Sequence, residues 1–506
     1  MLDSERQVGQ ELRDHLRRLQ WRVQRREVGW VVRAGDGVAY VRGVPSVRYA
    51  ELLARADGLT ALAFDLQPRE VGVIFLDPAE HVSAGDELRA TGRVASVPVG
   101  EELLGRVVDA LGRPLDDGPP IRARTYWPVE REAPGVIERQ PVVEPLHTGI
   151  KVIDALFPLG RGQRELILGD RATGKTSLAL DAILAQKNTG VLCVYAAIGQ
   201  RNASVAETIQ LLRDTDALRY TIVVVADADA PVGQQYLAPY SACTMAEYFM
   251  QKGRHVLVVY DDLTKHADTY RRIALLLGRP PGREAYPPDV FYLHARLLER
   301  ATRLRDERGG GSLTALPIAG TQAGNIASYI PTNLISITDG QIYLDSRMFN
   351  EGLRPAVEVG LSVSRVGGKA QPRVIRKIAG DLRLLYAQLR ELESFARFGA
   401  ELEPETRRRL ERGRRLREAL KQPRLRPWPL AHEAAILYAI REGFLDAVPV
   451  PKVSTFLDAL LERLDMLEGA VLQALQNEED LPTDIEARLR MAIEAVQSAF
   501  QPSETQ

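Results

Sequence analysis

The chain has 506 residues, 45% hydrophobic and 26% charged, a composition that suits two to four folded domains and neither a disordered nor a membrane-spanning chain. Its 66 Lys and Arg against 67 Asp and Glu give a net charge of -1, so there is no global basic field to hold a nucleic-acid backbone, and nucleic acid is not an expected partner. Two cysteines, Cys193 and Cys243, cannot form a disulfide framework or a four-ligand zinc site, and their apolar settings predict buried thiols in a reducing compartment. The polar N-terminus lacks the apolar centre of a signal peptide, and no run of about 18 apolar residues follows, so membrane association is expected only through partners.

Residues 1–26 form a charged arm in which Leu12, Leu16, Leu19 and Val23 make one apolar helical stripe, the pattern of a docking helix or a solvated extension. Over 27–93 short β-rich runs such as Gly29-Trp30-Val31-Val32 and Val71-Gly72-Val73-Ile74-Phe75-Leu76 are punctuated by Gly35-Asp36-Gly37 and Ala84-Gly85-Asp86. These predict a small N-terminal β-barrel. Residues 94–371 alternate apolar strands (Leu166 to Leu168, Val191 to Ala197, Thr221 to Ala226, Val256 to Tyr260) with helical patterns, which predicts a parallel α/β nucleotide-binding domain. Over 372–506 the β signal stops, and Leu, Arg, Glu and Ala recur at helical spacing, broken by Gly399, Pro404, Pro423 to Pro429 and Pro451. A C-terminal α-helical domain is expected there.

Gly169-Asp170-Arg171-Ala172-Thr173-Gly174-Lys175-Thr176 is a complete G-x-x-x-x-G-K-[ST] cradle, placed between the strand ending at Leu168 and the helical run from Ser177. Glycines let the backbone N–H groups face phosphate oxygens, and the positive helix end points at the same place. Lys175 is expected on the β- and γ-phosphates and Thr176 on Mg²⁺. The apolar strand His255 to Tyr260 ends in Asp261 and Asp262; Asp261 is the expected second Mg²⁺ contact. The alternative for this pair is a helix cap.

Gly160-Arg161-Gly162-Gln163-Arg164-Glu165, Tyr260-Asp261-Asp262-Leu263, Pro280-Pro281-Gly282-Arg283-Glu284-Ala285-Tyr286-Pro287, Ile335-Ser336-Ile337-Thr338-Asp339-Gly340-Gln341 and Val363-Ser364-Arg365-Val366-Gly367 together resemble the alpha subunits of F-type ATP synthases, over nearly the whole chain. The resemblance implies a three-domain chain: a barrel, a RecA-like centre and a helical bundle. It also implies an alternating alpha3-beta3 hexamer around a central stalk (gamma), on the cytoplasmic face of a membrane whose ion-translocating sector moves H⁺ or Na⁺. The N-terminal arm would grip the peripheral stalk (delta), and Phe395-Ala396-Arg397-Phe398-Gly399 would face the rotor; a packed helix end with a Gly cap explains that segment equally well.

By the same resemblance Arg365, on the loop of Ser362, Val363 and Ser364, is an arginine finger for the site of the adjacent beta subunit. Phe349, Arg354 and Pro355 lie near adenine and ribose, with Gln422 approaching from the helical domain. Catalytic subunits carry a Glu after the second core strand to polarise the attacking water; here that place holds Gln200, which has no carboxylate to accept a proton. A bound ATP or ADP that is largely not hydrolysed is therefore expected. Ala172 and Arg424 depart from the usual glutamines, and Lys369, Gly320 and Asn325 depart from the small or acidic residues usual there, as in a divergent or second-copy alpha subunit. Two other readings remain: a self-sufficient hexameric ATPase such as a secretion motor or Rho-type helicase, which wants a carboxylate at position 200, and a non-enzymatic scaffold, in which Arg365 is dispensable.

Overall fold

The computed structural model describes residues 27–397, 403–477 and 481–500. The arm with Leu12, Leu16, Leu19 and Val23 lies outside the described residues, as do Phe398 and Gly399.

Two compact units are present. The first spans the residues up to Val94, apart from Leu76–Pro78. In it β1 (Val28–Gly35), β2 (Val38–Arg42), β3 (Glu51–Ala54), β4 (Thr60–Leu66), β5 (Val71–Phe75) and β6 (Glu87–Val94) close in the order β1-β2-β5-β4-β3-β6. Closure leaves no unpaired edge. Asp36 and Gly37 both take positive φ, 52° and 85°, the hairpin turn whose twist suits the strands it joins. Val31, Val41, Leu53, Ala61, Val73 and Leu88 fill the interior.

The second unit holds everything else. β7 (Ser96–Val99) pairs with β9 (Thr125–Pro128), and β10 (Pro145–Leu146) with β11 (Leu159–Gly160). Its main sheet is built from β8 (Val107–Asp109), β12 (Leu166–Gly169), β13 (Leu192–Ile198), β14 (Thr221–Ala226), β15 (His255–Asp261), β16 (Ser312–Gly320), β17 (Gly340–Leu344) and β18 (Val363–Ser364), in the order β18-β17-β12-β16-β15-β13-β14-β8. The pairings are parallel except for β18, which lies antiparallel on β17. Strands β13 and β14 are buried at every position, as befits a sheet covered on both faces by helices.

β16 is central, yet it carries Pro317, opposite Tyr260 of β15, and a Pro within a run argues against a central strand on sequence grounds. The alternation read from the sequence did not include it.

Among the described residues seven α-helices between Arg373 and Phe500, including Pro404–Ala419, Leu430–Arg441 and Val453–Leu467, follow the sheet. Pro404 sits in the first helical turn, where its missing N–H costs nothing. Ile375, Leu416, Ile436, Leu460 and Ile493 of these helices belong to one apolar core with Ile167, Val223 and Ile318 of the sheet. The helical segment is thus packed onto the α/β layer. No helix among the described residues is long and apolar enough to cross a membrane.

A polar cluster is sealed where these two parts meet. His147 Nε2 lies 3.0 Å from Glu433 Oε2 and 3.2 Å from Asp154 Oδ2. Glu433 is fully buried, and burial together with the Asp154 charge pushes its carboxyl up to about 8 from an ordinary 4.5. The fold favours the protonated form, so stability is greatest below the ordinary Glu range and is lost as pH rises toward 8. Glu433→Gln should melt higher than the parent at pH 8, with the gap closing near pH 5. Parallel melting curves with no pH-dependent gap would refute this.

Candidate nucleotide site

The cradle stands at the carboxyl end of β12. Gly169 has φ 157°, and a Cβ there would lie 2.7 Å from the Leu344 carbonyl oxygen, so no other residue fits between β12 and β17. Gly174, at φ 98°, turns the chain into the helix Lys175–Leu184. Asp170 fastens the loop from behind: it accepts hydrogen bonds from Thr321 Oγ1 (2.6 Å), Gly324 N (3.0 Å) and Ser346 Oγ (3.0 Å). Burial pushes its carboxyl up, but these donors prevail and hold it below the usual range. Lys175 curls over the loop, donating to the carbonyls of Gly169 (2.8 Å) and Asp170 (2.6 Å). Burial lowers its pKa against the pull of Asp262, Asp261 and Asp170.

At the end of β15 the two aspartates divide their work. Asp262 caps the helix Leu263–Leu276 by accepting from Lys265 N at 2.8 Å, and burial beside Asp261 pushes it up to about 6. Asp261 instead faces the cradle, accepting from Thr176 Oγ1 (2.8 Å), Tyr195 OH (2.8 Å) and Gln200 Nε2 (2.7 Å). Burial raises its pKa as well. The capping alternative is therefore true of one member of the pair and the cradle-facing reading of the other.

Gln200 is held at both ends, since its Oε1 accepts from Lys265 Nζ at 2.7 Å. A Glu here would face Asp261 across the same 2.7 Å, and like charges at that range disfavour double ionisation. Gln200→Glu should lower the melting temperature by a few degrees, at a cost of about 1–3 kcal/mol for the lost donor, and excess Mg²⁺ with ADP should restore it. Unchanged melting without Mg²⁺ would show that the Gln200–Asp261 contact is not maintained.

A cleft of about 1050 Å³ joins these parts. Arg171, Ala172, Thr173, Gly174, Lys175, Thr176, Ser177, Gln200 and Asp261 line its phosphate end, and Phe349, Arg354, Pro355, Gln422 and Arg424 its other end. The Arg354 guanidinium lies 4.4 Å over the Phe349 ring, a cation–π contact that holds an aromatic face at the cleft wall. Gln422 lines the cleft with its amide already committed to main chain: it donates to the carbonyls of Gly149 (2.7 Å) and Arg426 (3.0 Å) and accepts from Lys151 N (3.2 Å). Gly169 and Asp170 shape the loop without lining the cleft.

The sequence reading missed Tyr195, Ser204, Glu207 and Thr208, which also line it. Tyr195 read as an apolar position of a buried strand. Glu207 and its neighbours lie on the helix Asn202–Asp214, which follows Gln200, and their only signal was that proximity.

Arg365 is not part of this cleft. It follows β18, at the edge of the sheet, with its N–H bonded to Asp339 O at 2.8 Å. Among the described residues its exposed guanidinium makes no hydrogen bond or ion pair. The serines beside it are anchored inward. Ser362 Oγ donates to Glu358 O (2.8 Å) and accepts from Tyr343 N (3.0 Å), while Ser364 Oγ donates to Pro158 O (3.0 Å). Val363 is exposed.

The nucleotide-binding domain model of the ATP synthase alpha/beta family matches residues 149–364, and its C-terminal domain model matches 371–496. The chain is 56% identical over 458 residues to ATP synthase subunit alpha 2 of Syntrophotalea carbinolica, covering 90% of this chain and 88% of that protein. It is 50% identical to ATP synthase subunit alpha of Aquifex aeolicus over 97% of this chain and 98% of that protein, and 52% identical to that of Dehalococcoides mccartyi over 92% and 93%.

Proposed function

The chain belongs to the ATP synthase alpha/beta family as an alpha subunit, and from that premise we propose that it keeps a largely non-hydrolysing MgATP or MgADP in its own cleft and lends Arg365 to the catalytic site of an adjacent beta subunit. The observation that carries this reading is the contrast between the two places. Gln200, where a water-polarising carboxylate would act, is tied to Asp261 and Lys265. Arg365 is exposed and unpaired among the described residues, on a loop whose serines are fastened.

The residues fit Mg²⁺: Thr176 Oγ1 and Asp261 Oδ2 are hard oxygen donors 2.8 Å apart, and Asp261 is a buried carboxylate whose ionisation a cation would favour. Held by Thr176 and Asp261, a Mg²⁺ would supply neutralisation of the phosphate charge. With a nucleotide bound, Lys175 would turn from the loop carbonyls to the phosphates, the N–H groups of the first helical turn would donate to their oxygens, and Phe349 with Arg354 and Pro355 would bracket the base.

In this reading three copies alternate with three beta subunits around the gamma stalk, the arm of residues 1–26 meets the delta end of the peripheral stalk, and the assembly sits at the cytoplasmic face of a membrane. Coupling to H⁺ or Na⁺ lies in the membrane sector. The departures at Ala172, Arg424, Lys369, Gly320 and Asn325 fit a second-copy subunit. A self-sufficient hexameric ATPase is disfavoured by Gln200.

The test is MgATP hydrolysis by the complex assembled with its beta subunit, comparing Arg365→Ala with Lys175→Ala. Loss of most turnover in the first and retention of much of it in the second supports the proposal. The opposite pattern would put the chemistry in this chain's own cradle.

A further inference from the structure

Beneath the loop that carries Arg365 lies the triplet Gln163-Arg164-Glu165, which leads into β12; Gln163 and Glu165 are buried and Arg164 is partly exposed. Glu165 is fully buried, and its Oε2 accepts from Gln163 Nε2 at 2.7 Å. The same Nε2 donates to Ser364 Oγ at 3.1 Å. Ser364 Oγ also accepts from Gly367 N at 3.2 Å, so a single hydroxyl closes the turn from Ser364 to Gly367 that has Arg365 inside it.

The other side of the turn is held by Arg164. Its guanidinium grips Asp339 through Nε to Oδ2 (3.0 Å) and Nη2 to Oδ1 (2.9 Å), and the Asp339 carbonyl accepts from Arg365 N. Gly340 faces Ser364 across the β17–β18 pairing. A Cβ at Gly340 would come within 2.5 Å of Glu165 Oε2, so the space under the turn is left to that carboxyl.

Glu165 is an expensive residue to keep there. Among the described residues its Oε1 is buried with no hydrogen-bond partner, and an orphaned polar atom of that kind is destabilising. Burial pushes its carboxyl well above the usual range, with Gln163 and the Arg365 charge among the influences that draw it back. An apolar residue would cap β12 without that penalty; what the carboxyl adds is the acceptor for Gln163 Nε2.

We propose that Glu165, acting through Gln163 and Ser364, is a positioning residue that fixes the height and direction of Arg365. The inference rests on the reading of Arg365 as a finger for the neighbouring site. A guanidinium displaced by about 1 Å from a transferring phosphoryl group can lose up to 10²-fold in rate, so a loosened seat shows in turnover and not in binding of the ground state.

The test uses the assembled alpha-beta complex and steady-state MgATP hydrolysis. Glu165→Leu and Gln163→Ala should each lower kcat by about 10-fold or more with KM within about twofold. Binding of MgADP to this chain's own cleft, at the far end of β12, should stay at the parent level. Glu165→Gln, which keeps an acceptor for Gln163 Nε2, should recover most of the turnover that Glu165→Leu loses.

If Arg365→Ala removes turnover while both seat variants assemble and keep the parent kcat, the positioning inference falls and the finger reading stands. If Arg365→Ala is itself near neutral, both fall. Should Glu165→Leu fail to assemble, Gln163→Ala decides the matter, because it deletes the link while leaving the buried carboxyl in place. A fall in kcat matched by equal loss of MgADP binding would mean general damage and would overturn the proposal.

Discussion

Arg365→Ala should lower MgATP turnover of the assembled complex by about 10³-fold or more, the range in which arginine fingers elsewhere contribute 10³ to 10⁵. The guanidinium carries a fixed charge and a planar fork of donors, which suits charge spreading over the phosphoryl oxygens as the bond to the leaving group lengthens. Because the side chain is exposed and makes no hydrogen bond or ion pair among the described residues, its removal should change the melting temperature of this chain only slightly, through its charge on Glu165, and hold KM near the parent value. Arg365→Lys keeps the charge and loses the fork, so it should recover only part of the rate. Turnover within tenfold of the parent in Arg365→Ala, with assembly confirmed, would sink the idea that this chain completes its neighbour's site.

The contrast between Arg365 and the cradle explains what could be read from sequence. Gly169 to Thr176 announces itself because the chemistry is local: the phosphate-facing N–H groups, Lys175 and Thr176 lie in one loop, and strand and helix flank it in order. Asp261 was legible for the same reason, as a carboxylate at the end of an apolar strand. Which aspartate faced the cradle was not, because that depends on Thr176, Tyr195 and Gln200 arriving from three other elements.

Arg365 has no local signature at all. It is one of many arginines, and only a resemblance across the whole Val363 to Gly367 segment singled it out; the physical mark is a guanidinium unpaired among the described residues, beside serines that are tied down. The seat formed by Gln163, Arg164 and Glu165 lies about 200 residues away in sequence from the turn it supports, a separation that periodicity and spacing cannot bridge. β16 poses the opposite problem, a local cue from Pro317 that the tertiary fold overrides.

A second large effect is expected deep in the α/β unit. Arg300 and Glu247 are 1% and 2% exposed. Arg300 donates from Nε to Glu247 Oε1 (2.7 Å) and from Nη2 to Oε2 (2.8 Å), and also to Thr244 Oγ1 (2.7 Å) and the Val129 carbonyl (2.9 Å). One side chain thereby joins the segment after β9 to the helix Val232–Gln251, whose faces are buried almost all round.

Desolvating both ions is costly, so the pair need not stabilise the fold relative to apolar residues of similar volume; removing one member is another matter, because it strands a buried charge. After Arg300→Met the Glu247 carboxylate keeps, among the described residues, Arg131 at 3.1 Å, and the loss should reach about 3–5 kcal/mol. At roughly 2–4 °C per kcal/mol for a unit of this kind, the melting temperature should fall by about 10 °C.

The paired change Arg300→Met with Glu247→Leu should recover most of that loss, since the buried carboxylate is gone and the cation that loses it, Arg131, is partly exposed, although Thr244 and the Val129 carbonyl each lose a partner. A single variant that melts within a degree of the parent would refute any cost of stranding the carboxylate, and a double variant that melts lower than Arg300→Met alone would place the cost in lost packing.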